Sequence, residues 1–196
     1  MKMFHTIVPL AMLAACGQSG TTDNSYTAST NTTAEPAAVD NMQQMDQGDA
    51  SASAATDDTT YLAKAGAGDL FEIESSKAVM AKTEDAAVRD FARMMITAHT
   101  ESTANVKAAA TKAGLTVAPP QLDADQRAKV EAIGTASGDA AVRTYLDAQR
   151  EAHAAALALH QSYAQDGQTA PLKAVAGEIV PVVQSHIDML AKLPRS

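Results

Sequence analysis

The chain has 196 residues, is 46% apolar but only 4% aromatic, and contains no Trp. That length suits one folded domain with flanking segments, and an apolar fraction dominated by alanine disfavours a sheet sandwich, which needs bulky and β-branched side chains. The formal net charge is −8, with basic residues scattered along the chain, so the electrostatic footprint of a nucleic-acid-binding protein is missing.

The first residues, MKMFHTIVPLAMLAACGQSG, place one positive charge at Lys2 ahead of an apolar run ending in small residues. This pattern is an export signal, expected over residues 1–15 and too short to span a bilayer as a helix. Leu13-Ala14-Ala15-Cys16 resembles the bacterial lipobox, in which the cysteine is lipidated and becomes the first mature residue. Cys16 is the only cysteine, so it has no disulfide partner within the chain, which strengthens the lipid reading. More than one acyl chain, such as palmitate, gives stable anchoring, so the expected partner is a membrane. By the same resemblance Gly17 after the cysteine implies the periplasmic face of the outer membrane.

Residues 16–60 are expected to form a disordered acidic linker. After Cys16 the stretch is rich in Ser, Thr, Asn, Asp, Ala and Gln, and its seven carboxylates face no Lys or Arg. Too little apolar surface is present to offset the entropy of ordering. Such a chain spans on the order of 35–40 Å and more when its charges repel. Met42 and Met45 read as spacer residues rather than a soft-metal arm. The domain expected at residues 61–196 is near neutral, with 14 basic and 16 acidic residues.

From residue 61 the apolar period is helical. The first helix is expected from about Thr60 to Ala81, with an inward stripe of Leu62, Gly66, Asp69, Ile73, Ser76 and Met80. The second begins at Thr83 as N-cap, carries Val88, Ala92, Met95, His99 and Val106 inward, and stops at Gly114. A short helix is expected over Leu122–Ile133. The third long helix, about Asp139 to Gln165, turns Val142, Leu146, Gln149, His153, Leu157 and His160 to one face. The fourth, about Thr169 to Leu193, turns Leu172, Ala176, Ile179, Val183, His186 and Leu190. Pro181 inside it must free a backbone carbonyl. The alternating four-three step predicts an all-α four-helix bundle with one short extra helix in a middle connection long enough to cross the bundle.

His99, His153, His160 and His186 all fall on these inward faces. His153 and His160 share a face but stand about 10 Å apart along the axis, too far to share one ion easily. Folding the last two helices about the turn near residue 167 brings His153 and His186 within about 6 Å in height, and His99 can join them from the second helix. Three imidazoles suit Zn, Fe, Cu or Ni without choosing among them. Asp69 and Glu72 are the candidate fourth ligands. Folding the first hairpin leaves Glu72 about 10 Å from the height of His99, nearer to Arg93, and makes Asp69 the better placed of the two. The alternative is a set of neutral core histidines bonded to Ser102, Gln149, Ser185 or the carbonyl freed near Gly177.

Four stretches, GDLFEIESSKAV (68–79), VRDFARMMITAHTESTAN (88–105), YLDAQREAHAAALALHQSYA (145–164) and LKAVAGEIVPVVQSHIDML (172–190), resemble the exported bacterial family called domain of unknown function 4142. The resemblance implies a ferritin-like fold and marks Glu72, Phe91, Met95, His99, His153, Pro181 and His186 as positions that recur in the family. Ala98 departs from the acidic residue often found before the family's first histidine. It implies no reaction. Ferritin-like di-iron proteins use Glu-x-x-His steps, whereas here Ile96, Arg150 and Val183 stand three residues before the histidines.

No Gly-x-Ser-x-Gly elbow or dinucleotide loop is present. The expected protein is therefore a non-enzymatic, lipid-anchored envelope bundle that binds one transition-metal ion. The alternatives are a metal-dependent enzyme of peroxide or oxygen chemistry at the same histidines, and a structural or partner-binding bundle whose histidines only pack.

Overall fold

The computed structural model describes residues 57–193, which form five α-helices and, among the described residues, no strand. The expected signal segment, Cys16 and nearly all of the linker lie outside the described residues. No helix among the described residues is long and apolar enough to cross a membrane.

Helix α1 runs Asp58–Met80, so Asp58, Thr59 and Thr60 belong to the first turn rather than to the linker. Asp57 caps it by accepting the Thr60 N–H, and Asp58 gives that turn a negative charge where the helix dipole favours one. The Asp58 carboxylate also accepts hydrogen bonds from Tyr163 and Thr169, pinning this end of α1 to the turn between the last two helices.

Helix α2 spans Ala86–Lys112. Its N-cap is Asp85, not Thr83: the Asp85 carboxylate accepts from the N–H groups of both Ala87 and Val88, while the Thr83 hydroxyl accepts from Asp85 one step outside. Gly114, at φ 72°, ends the helix. Leu115 N–H reaches Ala110 O and Gly114 N–H reaches Thr111 O, the paired bonds of a Schellman stop.

Helix α3, Ala124–Thr135, starts behind a capping box of Asp123 and Gln126. Helix α4 is Gly138–Asp166 and α5 is Ala170–Leu190, with Pro171 in its first turn and Pro181 inside. A proline N1/N2 position needs no donor, but Pro181 denies the carbonyl of Gly177 its usual partner.

The cross-helix contacts set the directions. Along α1, Tyr61, Glu72, Ser75 and Ser76 meet His160, His153, Gln149 and Tyr145 of α4 in descending order, so the two helices are antiparallel. Helix α2 packs on α1 and α5, and α5 packs on α4, closing a four-helix square in which α2 and α4 stand on a diagonal. In such a square α2 and α4 run the same way. The connection between them must therefore climb the whole bundle, and α3 makes that climb along α1 and α4. Ile133 is wholly buried on the way.

Two apolar clusters fill the interior. One gathers Tyr61, Leu62, Val106, Tyr163, Leu172 and Ile179; the other gathers Phe71, Val79, Val88, Phe91, Leu146 and Leu190. Along α2, α4 and α5 the histidines fall between the two.

Candidate metal centre

His99, His153 and His186 come from α2, α4 and α5 and are all buried. Their ring centroids form a nearly equilateral triangle, 5.6 Å between His99 and His153, 5.6 Å between His99 and His186, and 5.4 Å between His153 and His186. One nitrogen from each ring lies within 4.8 Å of the others. The circumradius of that triangle is about 3.2 Å, close to the distance from an ion to the centroid of an imidazole bonded to it at about 2.0–2.1 Å.

The outer edges of two rings are held in place. His99 Nδ1 is 2.8 Å from Asp69 Oδ1, and the Thr103 hydroxyl donates to Asp69 Oδ2 at 2.9 Å. His153 Nδ1 donates to the carbonyl of Gln149 at 2.8 Å, with Glu72 Oε1 at 3.3 Å on the same side. A ring whose Nδ1–H is donated outward keeps its lone pair on Nε2. For His99 that Nε2 is buried with no hydrogen-bond partner among the described residues. For His153 it lies 3.3 Å from His186 Nδ1, near the edge of a tetrahedron of nitrogens around an ion with bonds of about 2.0 Å.

Electrostatics keep two of the rings neutral. Burial, helped by the neighbouring His99, pushes His153 down to about 3 and His186 down to about 4, so both offer lone pairs at neutral pH without losing a proton first. Burial also pulls His99 down, but the Asp69 hydrogen bond with the Glu72 and Asp69 charges outweighs it and raises the ring overall. Glu72, wholly enclosed, is pushed up to about 7 by burial, with His99 and Gln149 opposing. Its Oε2 has no partner among the described residues.

Asp69 and Glu72, the two carboxylates expected as ligands, both reach the site, but as partners of the ring Nδ1 atoms; the convergent nitrogens belong to the histidines alone. Glu72 does not pair with Arg93, which bonds Asp90 on the surface. The α1 stripe holds in part: Leu62, Asp69 and Ser76 are buried as expected, but Gly66, Ile73 and Met80 are only half-buried, while Tyr61, Ala65, Glu72, Ser75 and Val79 also turn fully inward. His160 stands apart from the triangle, its Nδ1 3.1 Å from the Tyr61 hydroxyl, and Tyr61 stacks on Tyr163 with centroids 3.8 Å apart. Thr103, four residues after His99 and so on the same helical face, is the supporting residue that spacing alone could have flagged.

A cavity of about 790 Å³ opens onto this centre, and His99, His186, Asp69, Glu72 and His160 line it.

The model of the family described as domain of unknown function, DUF4142, matches residues 42–193. The chain belongs to the DUF4142 family. No curated protein matches it. Among solved structures, this DUF4142 chain is similar to a DUF305 fragment from Deinococcus radiodurans, with a TM-score of 0.60 at 15% identity, covering 69% of this chain and 93% of that one. A DUF305 protein from Streptomyces coelicolor is similar at a TM-score of 0.58 and 20% identity, covering 70% and 91%. At these identities the likeness is one of fold. A ferritin-like di-iron centre does not fit the DUF4142 residues present: it needs carboxylates bridging between helices beside its histidines, and both buried carboxylates here stand behind imidazoles instead.

Proposed function

We propose that this DUF4142 protein binds a single transition-metal ion through His99, His153 and His186, and does so as a lipid-anchored protein of the cell envelope. One observation carries the metal reading: three buried imidazoles from three helices bring one nitrogen each within 4.8 Å. Burying three polar rings edge to edge is costly for packing alone, and His99 Nε2, which has no partner among the described residues, adds to that cost. An ion satisfies all three at once. Imidazole ligands suit Zn, Fe, Cu and Ni, and the carboxylates behind His99 and His153 fit the usual support of a metal-bound imidazole.

The anchor reading rests on Leu13-Ala14-Ala15-Cys16, the lone thiol following an apolar run. A metal-dependent redox enzyme is a second reading, favoured by the cavity that meets His99 and His186.

The deciding experiment is metal analysis of full-length, untagged protein, purified from membranes and titrated with each of the four metals. The expected result is one ion per chain, lost in His99→Ala, His153→Ala and His186→Ala. A wild type that takes up none, or variants that bind as well as it does, would end the metal reading. Mass spectrometry of the same preparation checks Cys16 for acyl chains, and finding an unmodified Cys16 in the intact protein would end the anchor.

A further inference from the structure

The three imidazoles come from α2, α4 and α5, leaving α1 as the side of the square that could supply a fourth ligand. Helix α1 does not fill that place. Of its two buried carboxylates, Asp69 has both oxygens engaged, by His99 and Thr103, and Glu72 sets Oε1 against the outer edge of His153; neither joins the convergent nitrogens. Beside them it contributes Ala65, Ala67 and Gly68 to the cavity wall. Elsewhere that wall is largely apolar, with Ala152, Ala156, Ile179 and Val183 from α4 and α5. At about 790 Å³ the space far exceeds one water molecule and lies in the range of small-ligand sites.

We infer that the metal centre keeps an open coordination position facing this cavity and binds a small exogenous monoanion there, directly on the metal. The inference rests on the metal reading above and deepens it. Three nitrogen ligands and a vacant position are the pattern of metal sites that accept an outside ligand, whereas sites that only brace a fold are closed by four protein ligands. A divalent cation on three neutral imidazoles, walled by aliphatic side chains, exerts its field through a medium of low dielectric, so an anion gains more there than in water. Glu101, Asp123 and Glu178 line the cavity beside Asp69 and Glu72, with only Lys64 to oppose them, so the wall opposes anions in proportion to their charge and leaves a monoanion the least opposed.

The test uses the full-length protein loaded with Cu(II) and azide as the probe anion. Azide should produce a saturable azide-to-copper charge-transfer band and shift the copper EPR spectrum, with copper still bound at one per chain. Ala156 lies on α4 between His153 and His160, is half-buried and lines the cavity. Ala156→Phe should weaken azide by about tenfold or more while leaving copper affinity within about threefold. Val182, 47% exposed and on the same wall, provides a second variant should Ala156→Phe fold poorly. Val182→Trp should slow azide entry without displacing copper.

Copper bound at full stoichiometry with no azide band would mean a site closed by a fourth protein ligand, and would overturn the open position while sparing the metal site. An azide affinity unchanged in Ala156→Phe, together with an azide entry rate unchanged in Val182→Trp, would overturn the cavity as the ligand's place. Failure to bind copper or any of the other three metals would sink both proposals together.

Discussion

Asp69 Oδ1 lies 2.8 Å from His99 Nδ1, joining α1 to α2 at the level where the three imidazoles converge. The Thr103 hydroxyl holds the second oxygen of the same carboxylate. The pair fixes the ring's orientation and tautomer, and it places a negative charge behind a ring proposed to carry a cation.

Removing that charge while keeping an acceptor isolates its contribution. Asp69→Asn should lower metal affinity by about tenfold, and Asp69→Ala by up to about a hundredfold, the range seen when the carboxylate behind a metal-bound imidazole is lost. Competition against a chromophoric chelator measures both. Equal affinities in wild type and Asp69→Ala would show that the carboxylate supports packing only.

Metal binding to the folded state alone must raise the unfolding temperature. At a free metal concentration about a hundred times Kd the gain is about 2.7 kcal/mol, worth on the order of 10 °C for a domain of this size. Differential scanning calorimetry with and without metal tests this. The shift should vanish in His153→Ala, and a shift that persists there would place the ion elsewhere.

His160 supplies a pH dependence away from the triangle. Burial is the chief cause that pushes it down to about 4 from an ordinary 6.5. The unfolded chain therefore takes up a proton before the folded one does. Stability is complete above about pH 6.5 and falls as the pH drops toward 4, by at most about 3 kcal/mol from this group. Urea unfolding of the metal-free protein from pH 7 to pH 4 should show the decline, and His160→Gln should flatten part of it. A slope unchanged in the variant would assign the acid sensitivity to other groups.

Gly114, at φ 72°, occupies the left-handed position of the stop that ends α2, and a side chain there is strained even though a Cβ would meet nothing within 4 Å. Gly114→Ala should cost about 1 kcal/mol in chemical denaturation, through the backbone alone. A neutral result would mean that the Schellman stop relaxes at no cost.

The inward faces of α2, α4 and α5 were legible because Val, Leu, Ile and Met recur there at helical spacing around His99, His153 and His186. Helix α1 lacked that contrast. Its buried face includes the polar Asp69, Glu72, Ser75 and Ser76, so a stripe that rightly held Leu62, Asp69 and Ser76 also took in Ile73 and Met80, which are only half-buried, and missed Glu72, Ser75 and Val79. Cap positions moved by a residue or two where neighbouring Thr and Asp compete for the same N–H groups, as at Thr83 and Asp85.

Local sequence was enough to determine that this chain makes long helices, roughly where each stops, and that four histidines turn inward, because periodicity and caps act over a few residues. Hairpin heights already paired His153 with His186 and put His99 within reach; what the carboxylates and His160 touch was a tertiary matter. His153, His186 and His99 converge while His160 turns to Tyr61, and Glu72 reaches His153 across a different helix pair from the one its hairpin suggested. The physical reason is register: α1 and α4 are aligned by contacts such as Tyr61 on Tyr163 and Ser76 on Tyr145. Between those helices the chain passes through α2 and the crossover, so no local rule relates their heights.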